Sequence, residues 1–385
     1  MSGTGLTGGG IAPFRVEIPE SDLDDLRLRL SRTRWPERET VTDWSQGTPL
    51  GYLQELCTYW AERYDWRATE SRLNALPQFR TEIDGLGIHF LHVRSRHEAA
   101  TPLLISHGWP GSVVEFLDLI GPLTDPDDPA DAFHVVCPSL PGYGFSDRPA
   151  VSGWTAEHIA AAWDELMSRL GYERYAAHGV DWGSFVTAIL GERDTARPAD
   201  TRRLVGIHLT MPFARPPEQQ VELSEQDMAG LAAMKRFQQN EGGYSVIQTT
   251  RPQTLGYGLT DSPAGQLAWM AEKYWAWSDH DGDLEKIIPR DRLLDAVTVG
   301  WLAGTAASSA RIYWESQNKL ALGPVGIPAA VSNFPKDGRM PRPWIEGRFT
   351  DLRRFTDHDR GGHFPALEQP ELLTAELRAF FGPLR

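Results

Sequence analysis

The chain has 385 residues, enough for a large core and for more than one structural unit. Its composition is globular, with 41% hydrophobic and 23% charged residues, and an excess of acids leaves a formal net charge of −14. That balance argues against nucleic acid or an anionic membrane as a partner, because both are gripped through basic patches.

No apolar stretch reaches the roughly 18 residues that a bilayer-spanning helix requires. The first ten residues, MSGTGLTGGG, read as a flexible tail and lack the basic and apolar regions of a signal peptide. A soluble, cytoplasmic protein is expected. Cys57 and Cys137 are too few for a disulfide framework, and Cys137, after the apolar run FHVV, reads as a buried thiol.

In chain order, PESDLDDLRLRLS (19–31) predicts a helix with Ser21 as cap and Leu23, Leu26 and Leu30 on one face. LGYLQELCTYWAERYDW continues the helical pattern. Residues 1–79 are therefore expected to form an N-terminal arm laid over the rest. From about residue 80 short apolar runs alternate with helical segments: IHFLHVRS, TPLLISHG, AFHVVCPSL, RYAAHGVD and LVGIHLT, with VVEFLDLI and HIAAAWDELMSRL between them. Strands alternating with helices imply an α/β fold with a mostly parallel sheet covered on both faces. The pattern breaks over 213–320 into Trp- and Tyr-rich helical segments, then resumes with IPAAVSNFP, LRRFTDHD and a closing helix in ELLTAELRAFF. The expected organisation is an arm (1–79), a core in two parts (80–212 and 321–385) and an inserted helical lid (213–320).

The segment HGVDWGS at 178–184 is where chemistry enters. In the turn G-x-S-x-G, a sharp strand-to-helix elbow exposes a nucleophilic serine. Here Gly179 and Gly183 are kept and Asp181 stands in the serine's place. The helix that follows favours negative charge at its N-terminus. In the α/β-hydrolase order an acid and a histidine should come next, and Asp337 in FPKDGRMP and His363 in RGGHFP fit, each just past a predicted strand. Asp279, Asp281 and Asp283 look like calcium ligands only superficially, since Leu284 and Arg290 occupy the positions where an EF-hand has Gly and Glu. They read as a solvated acidic helix start. No metal site and no organic cofactor are expected.

A carboxylate nucleophile suits attack at an alkyl carbon. A serine would form an ether with no carbonyl for water to attack, whereas an aspartate forms an ester that a histidine-activated water can cleave. The developing oxyanion needs backbone N–H donors: one from Trp182, the residue after the nucleophile, and one from Trp109 in HGWPGS. Two substrate classes remain open at this point. A halide departs unaided, while an epoxide oxygen needs a strong hydrogen bond or a proton, which a lid tyrosine can supply.

Together, HGWPGS, HGVDWGS, RIYWES, NFPKDG and RGGHFPALEQPELL resemble the epoxide hydrolases of the α/β-hydrolase superfamily, in the branch of the microsomal and fungal enzymes. RTRWPE and TDWSQGTPLGYLQEL resemble that branch's N-terminal domain, and the likeness runs from residue 14 to the end. It implies Asp181 as nucleophile, His363 as general base and Asp337 as charge-relay acid, with Tyr244 and Tyr313 as donors to the epoxide oxygen. Tyr257 and Tyr274 read as packing. The resemblance implies an epoxide and water as the reacting partners. The membrane anchor of the microsomal relatives is not carried over, and a homodimer is compatible with the reading.

A haloalkane dehalogenase shares the aspartate elbow but lacks the N-terminal domain and the tyrosine pair. A catalytically dead binding protein would be expected to have lost one of these residues. Trp109, Trp182, Trp269, Trp275, Trp277, Trp301 and Trp314 are expected around the pocket, which points to a bulky, aryl epoxide. Such a pocket suits bacterial natural-product assembly, of the polyketide or enediyne kind, as well as detoxification.

Overall fold

The computed structural model describes residues 10–385 apart from 317, 318 and 321; the first nine residues of the expected Gly-rich tail lie outside the described residues. Nine strands form one sheet: β1 Ala12–Pro13, β2 Gln78–Ile83, β3 Leu86–Val93, β4 Thr101–Ser106, β5 Phe133–Pro138, β6 Tyr175–Gly179, β7 Leu204–Leu209, β8 Ala329–Asn333 and β9 Leu352–Asp357. Their order is β1-β2-β3-β5-β4-β6-β7-β8-β9. From β5 to β9 all neighbours are parallel, and β1, β2 and β3 join antiparallel at one edge. Every residue of β5, β6, β7 and β8 is buried, as expected for strands covered by helices on both faces. The sequence and the fold agree: this is the α/β-hydrolase architecture.

Strand β2 has no counterpart among the runs read above. It pairs with β3 through the two-residue turn Asp84-Gly85, both at positive φ (49° and 77°), with Ile83 opposite Leu86. An Asp-Gly pair between alternating segments is the signature of that hairpin. β2 crosses the junction expected at residue 79, and β1 lies wholly within the arm, so the arm contributes directly to the sheet. The first arm helix starts at Glu20 with Pro19 at its N-cap, without the side-chain cap expected from Ser21.

Between β7 and β8 the chain runs through the helices Glu225–Asn240, Gly243–Thr250, Pro252–Asp261, Pro263–Trp277, Arg290–Leu302 and Ala306–Ser316. They stand over the carboxyl ends of the parallel strands, where open α/β sheets carry their sites. The arm grips these helices. Trp44 stacks on Trp275 with centroids 4.3 Å apart, the Thr48 hydroxyl donates to the Ala268 carbonyl, and the Tyr59 hydroxyl donates to Asp291 at 2.8 Å.

Candidate active site

Asp181 sits at the turn from β6 into the helix Trp182–Thr195 with φ 49° and ψ −125°, a backbone region unfavourable for a residue with a Cβ. The flanking glycines make the turn possible. A Cβ on Gly179 would lie 2.1 Å from the Gly183 carbonyl oxygen, and one on Gly183 would lie 2.0 Å from that of Ser106. Ser184 is spent on the backbone, donating to the Gly179 carbonyl at 2.6 Å. The Asp181 carboxylate is buried and lies against Gly108, where a Cβ would come within 2.1 Å of its Oδ1. Next door, the Trp109 N–H donates to Oδ1 at 2.7 Å. Oδ2 lies 3.5 Å from His363 Nε2.

His363 follows β9 and precedes the short helix Pro365–Glu368; Asp337 follows β8. The two meet at 2.8 Å between Nδ1 and Asp337 Oδ1. A carboxylate only accepts, so Nδ1 carries the proton and donates it. The histidine loop is held from several sides. His363 N–H donates to the Trp277 carbonyl, Phe364 N–H to Glu368 Oε1 and Gly361 N–H to Asp279 Oδ2, each at 2.9 Å. Asp279, from the acidic run, thus braces the histidine loop. Burial on its own would push the imidazole down. The Asp337 charge and the hydrogen bonds to Asp181 and Asp337 outweigh it and hold His363 well above its ordinary value.

Tyr244, near the start of the helix Gly243–Thr250, and Tyr313, in the helix Ala306–Ser316, come together as an edge-to-face pair with centroids 5.8 Å apart. Tyr313 also meets the Trp182 ring edge-on at 5.0 Å, and Tyr244 stacks on Trp109 at 5.1 Å. Burial is the main cause that raises both phenols above their ordinary value, with the Asp181 charge adding to it. Tyr257 is 71% exposed, and Tyr274 is buried against Phe364, stacked at 4.2 Å.

Asp181, His363, Asp337, Tyr244, Tyr313 and Trp182 all border one cavity of about 1010 Å³. Of the tryptophans expected there, only Trp182 and Trp277 line it. Trp109 lies behind Tyr244, Trp275 is stacked under the arm, and Trp314 lines a separate surface groove. The apolar wall is instead largely phenylalanine and methionine: Phe185, Phe213, Phe237, Met211 and Met234. Met234 and Phe237 stand three apart on the helix Glu225–Asn240, which also carries Met228 and Leu231, so no pattern singled them out in the sequence. Two buried ionisable groups beside the site had no sequence signal: Glu115, which burial raises to about 8, and Lys273, 2% exposed.

A carboxylate at an elbow, a histidine in contact with it, a second acid behind the histidine and two phenols across a cavity can open a strained ring and hydrolyse the resulting ester. Residues 11–116 match the family described as Epoxide hydrolase N terminus, and residues 101–240 match the alpha/beta hydrolase fold. A protein of Stigmatella aurantiaca named as an epoxide hydrolase is 51% identical over 98% of this chain and 86% of its own length. The chain belongs to the epoxide hydrolases of the α/β-hydrolase superfamily. Epoxide hydrolase 1 of Sus scrofa is 33% identical to this epoxide hydrolase, over 97% of this chain and 89% of its own. The Aspergillus niger epoxide hydrolase structure superposes with a TM-score of 0.88 at 35% identity, covering 98% of this chain and 97% of that one. Among the described residues, no helix of this enzyme is long and apolar enough to cross a membrane.

Proposed function

We propose that this enzyme opens a bulky, aryl-bearing epoxide through a covalent ester on Asp181. The observation that carries the proposal is the asymmetry of the carboxylate. Oδ1 already accepts the Trp109 N–H, while Oδ2 has no backbone donor among the described residues and lies 3.5 Å from His363 Nε2. Oδ2 attacks a ring carbon from behind. The C–O bond breaks with its electron pair going to the oxygen, which Tyr244 and Tyr313 hold by hydrogen bonds and supply with a proton. Water then adds to the Asp181 carbonyl carbon as His363 takes one of its protons, and Asp337 stabilises the imidazolium. The Trp109 N–H, already on Oδ1, and the Trp182 N–H hold the oxyanion. Collapse expels the diol oxygen, which takes the proton held by His363, and regenerates the carboxylate as the hydroxyl that came from water gives its proton back to the tyrosine that supplied one.

The size and lining of the cavity support the substrate class. About 1010 Å³ exceeds what a small aliphatic epoxide fills, and Phe185, Phe213, Phe237 and Trp277 offer rings to an aryl group. Such a product fits either natural-product assembly or detoxification.

The test is an adduct. His363→Gln enzyme mixed with styrene oxide should accumulate a mass gain equal to the whole epoxide on the Asp181 peptide, and Asp181→Asn should gain nothing at early times. A gain of the alkyl group alone, obtained from haloalkanes only, would mark a dehalogenase. No adduct on the Asp181 peptide from any epoxide would sink the ester mechanism.

A further inference from the structure

Lys273 is one of five lysines in the chain, lies on the helix Pro263–Trp277, and is only 2% exposed. Lysine is almost never buried so completely without compensation. Its compensation is a carboxylate and a set of rings. Nζ is 2.7 Å from Glu272 Oε1, and it stands 4.7 Å from the centroid of the Tyr244 ring, 5.8 Å from Trp277 and 6.0 Å from Trp269. Two of these rings, Tyr244 and Trp277, line the cavity that holds Asp181. The mechanism above gives this cation nothing to do, and a Met or Leu would fill the space without the penalty of burying a charge.

We propose that Lys273 is a positioning residue whose charge, held over the Tyr244 ring, makes that phenol a stronger donor to the epoxide oxygen during ring opening. The inference rests on the reading of Tyr244 as a donor. In the resting enzyme the ammonium interacts with a neutral ring through its quadrupole. As the C–O bond breaks, electron density gathers on the epoxide oxygen, the phenol proton shifts toward it, and the ring takes on tyrosinate character. A cation beside a ring of growing negative charge is held more strongly in that transition state than in the ground state. Only such a difference accelerates a step. The compact ammonium acts as a point charge here, and its partner Glu272 is partly exposed, so water screens the carboxylate more than it screens the buried cation.

The experiment is a double-mutant cycle on the full-length enzyme, reading the rate of ester formation from styrene oxide in a single turnover. Lys273→Met should slow opening about tenfold. The same change in the Tyr244→Phe background should have no further effect, because the hydroxyl through which the charge acts is gone. Lys273→Arg should recover most of the rate, and the hydrolysis step should be unaffected throughout. An equal loss in both backgrounds would mean that Lys273 only packs, and no loss in the Tyr244 enzyme would mean that its charge is idle. Either result overturns the inference while leaving the tyrosine reading intact. If Tyr244→Phe alone leaves ring opening unchanged, the tyrosine reading fails and the inference falls with it. Thermal unfolding establishes that each variant is folded, and Lys273→Gln is read in the same way should Lys273→Met not fold.

Discussion

Glu115 is buried against the loop that carries Trp109, with its carboxyl so close to Gly111 that a Cβ there would be 1.7 Å from Oε1. Burial raises it to about 8 from an ordinary 4.5. Between those values the folded state binds a proton that the unfolded state has released, so stability falls as pH rises from about 4.5 to 8. Glu115→Gln removes that loss. Its advantage in urea unfolding should grow by up to about 1.4 kcal/mol for each pH unit within this window, and an advantage that is flat with pH would contradict the assignment. His363 yields a second prediction. Two carboxylates hold it well above its ordinary value in the resting enzyme, and alkylation of Asp181 removes one of those charges. The imidazole should then drop and become a competent base only after the ring has opened. Single-turnover rates should show ring opening persisting to lower pH than ester hydrolysis; coincident acid limbs would refute the sequence of events. The grouping of Asp181, Asp337 and His363 was legible because each follows a strand, in chain order. Glu115 and Lys273 were not, because a buried charge has no local pattern and is defined only by what folds around it.

At the scale of elements, the arm braces the lid through Asp295, a buried carboxylate on the helix Arg290–Leu302. It accepts from the hydroxyls of Tyr64, at 2.8 Å, and Thr69, both in the arm, and pairs with Arg72 at 3.4 Å. Asp295→Ala would leave these donors buried without an acceptor. We expect a loss of about 3 kcal/mol in urea unfolding, with the m-value unchanged, and a larger KM for styrene oxide as the lid loosens. Retained stability would show that water replaces the carboxylate. None of this was visible in sequence, where Tyr64 and Asp295 stand 231 positions apart. The helices themselves were visible through their period, and the buried strands through their continuous apolar runs. Strand β2 escaped because the positions it buries include Gln78 and Thr81 beside Ile83, polar residues that leave no apolar run to read.

For the whole molecule, the decisive fact is that the arm, the sheet and the lid share one core. Val16, Ile18, Leu23, Leu26, Leu30, Leu56, Cys57, Trp60, Trp66 and Leu73 of the arm are buried in the same apolar cluster as β3, β4 and the lid helices. Burying a large apolar side chain contributes roughly 1.5–3 kcal/mol, and a native protein is stable by only about 5–15 kcal/mol in total. Losing these contacts, while exposing the apolar surfaces that they cover, exceeds that margin. The arm is therefore part of the folding unit, although the sheet's parallel strands and every site residue lie outside it. Heat should unfold the full chain in a single transition, with calorimetric and van't Hoff enthalpies equal. A chain beginning at residue 77, just before β2, should lack cooperative unfolding, bind an apolar dye and fail to hydrolyse styrene oxide. A shortened chain that unfolds cooperatively and turns over the epoxide would show instead that the sheet and lid close their own core, with the arm as an accessory brace.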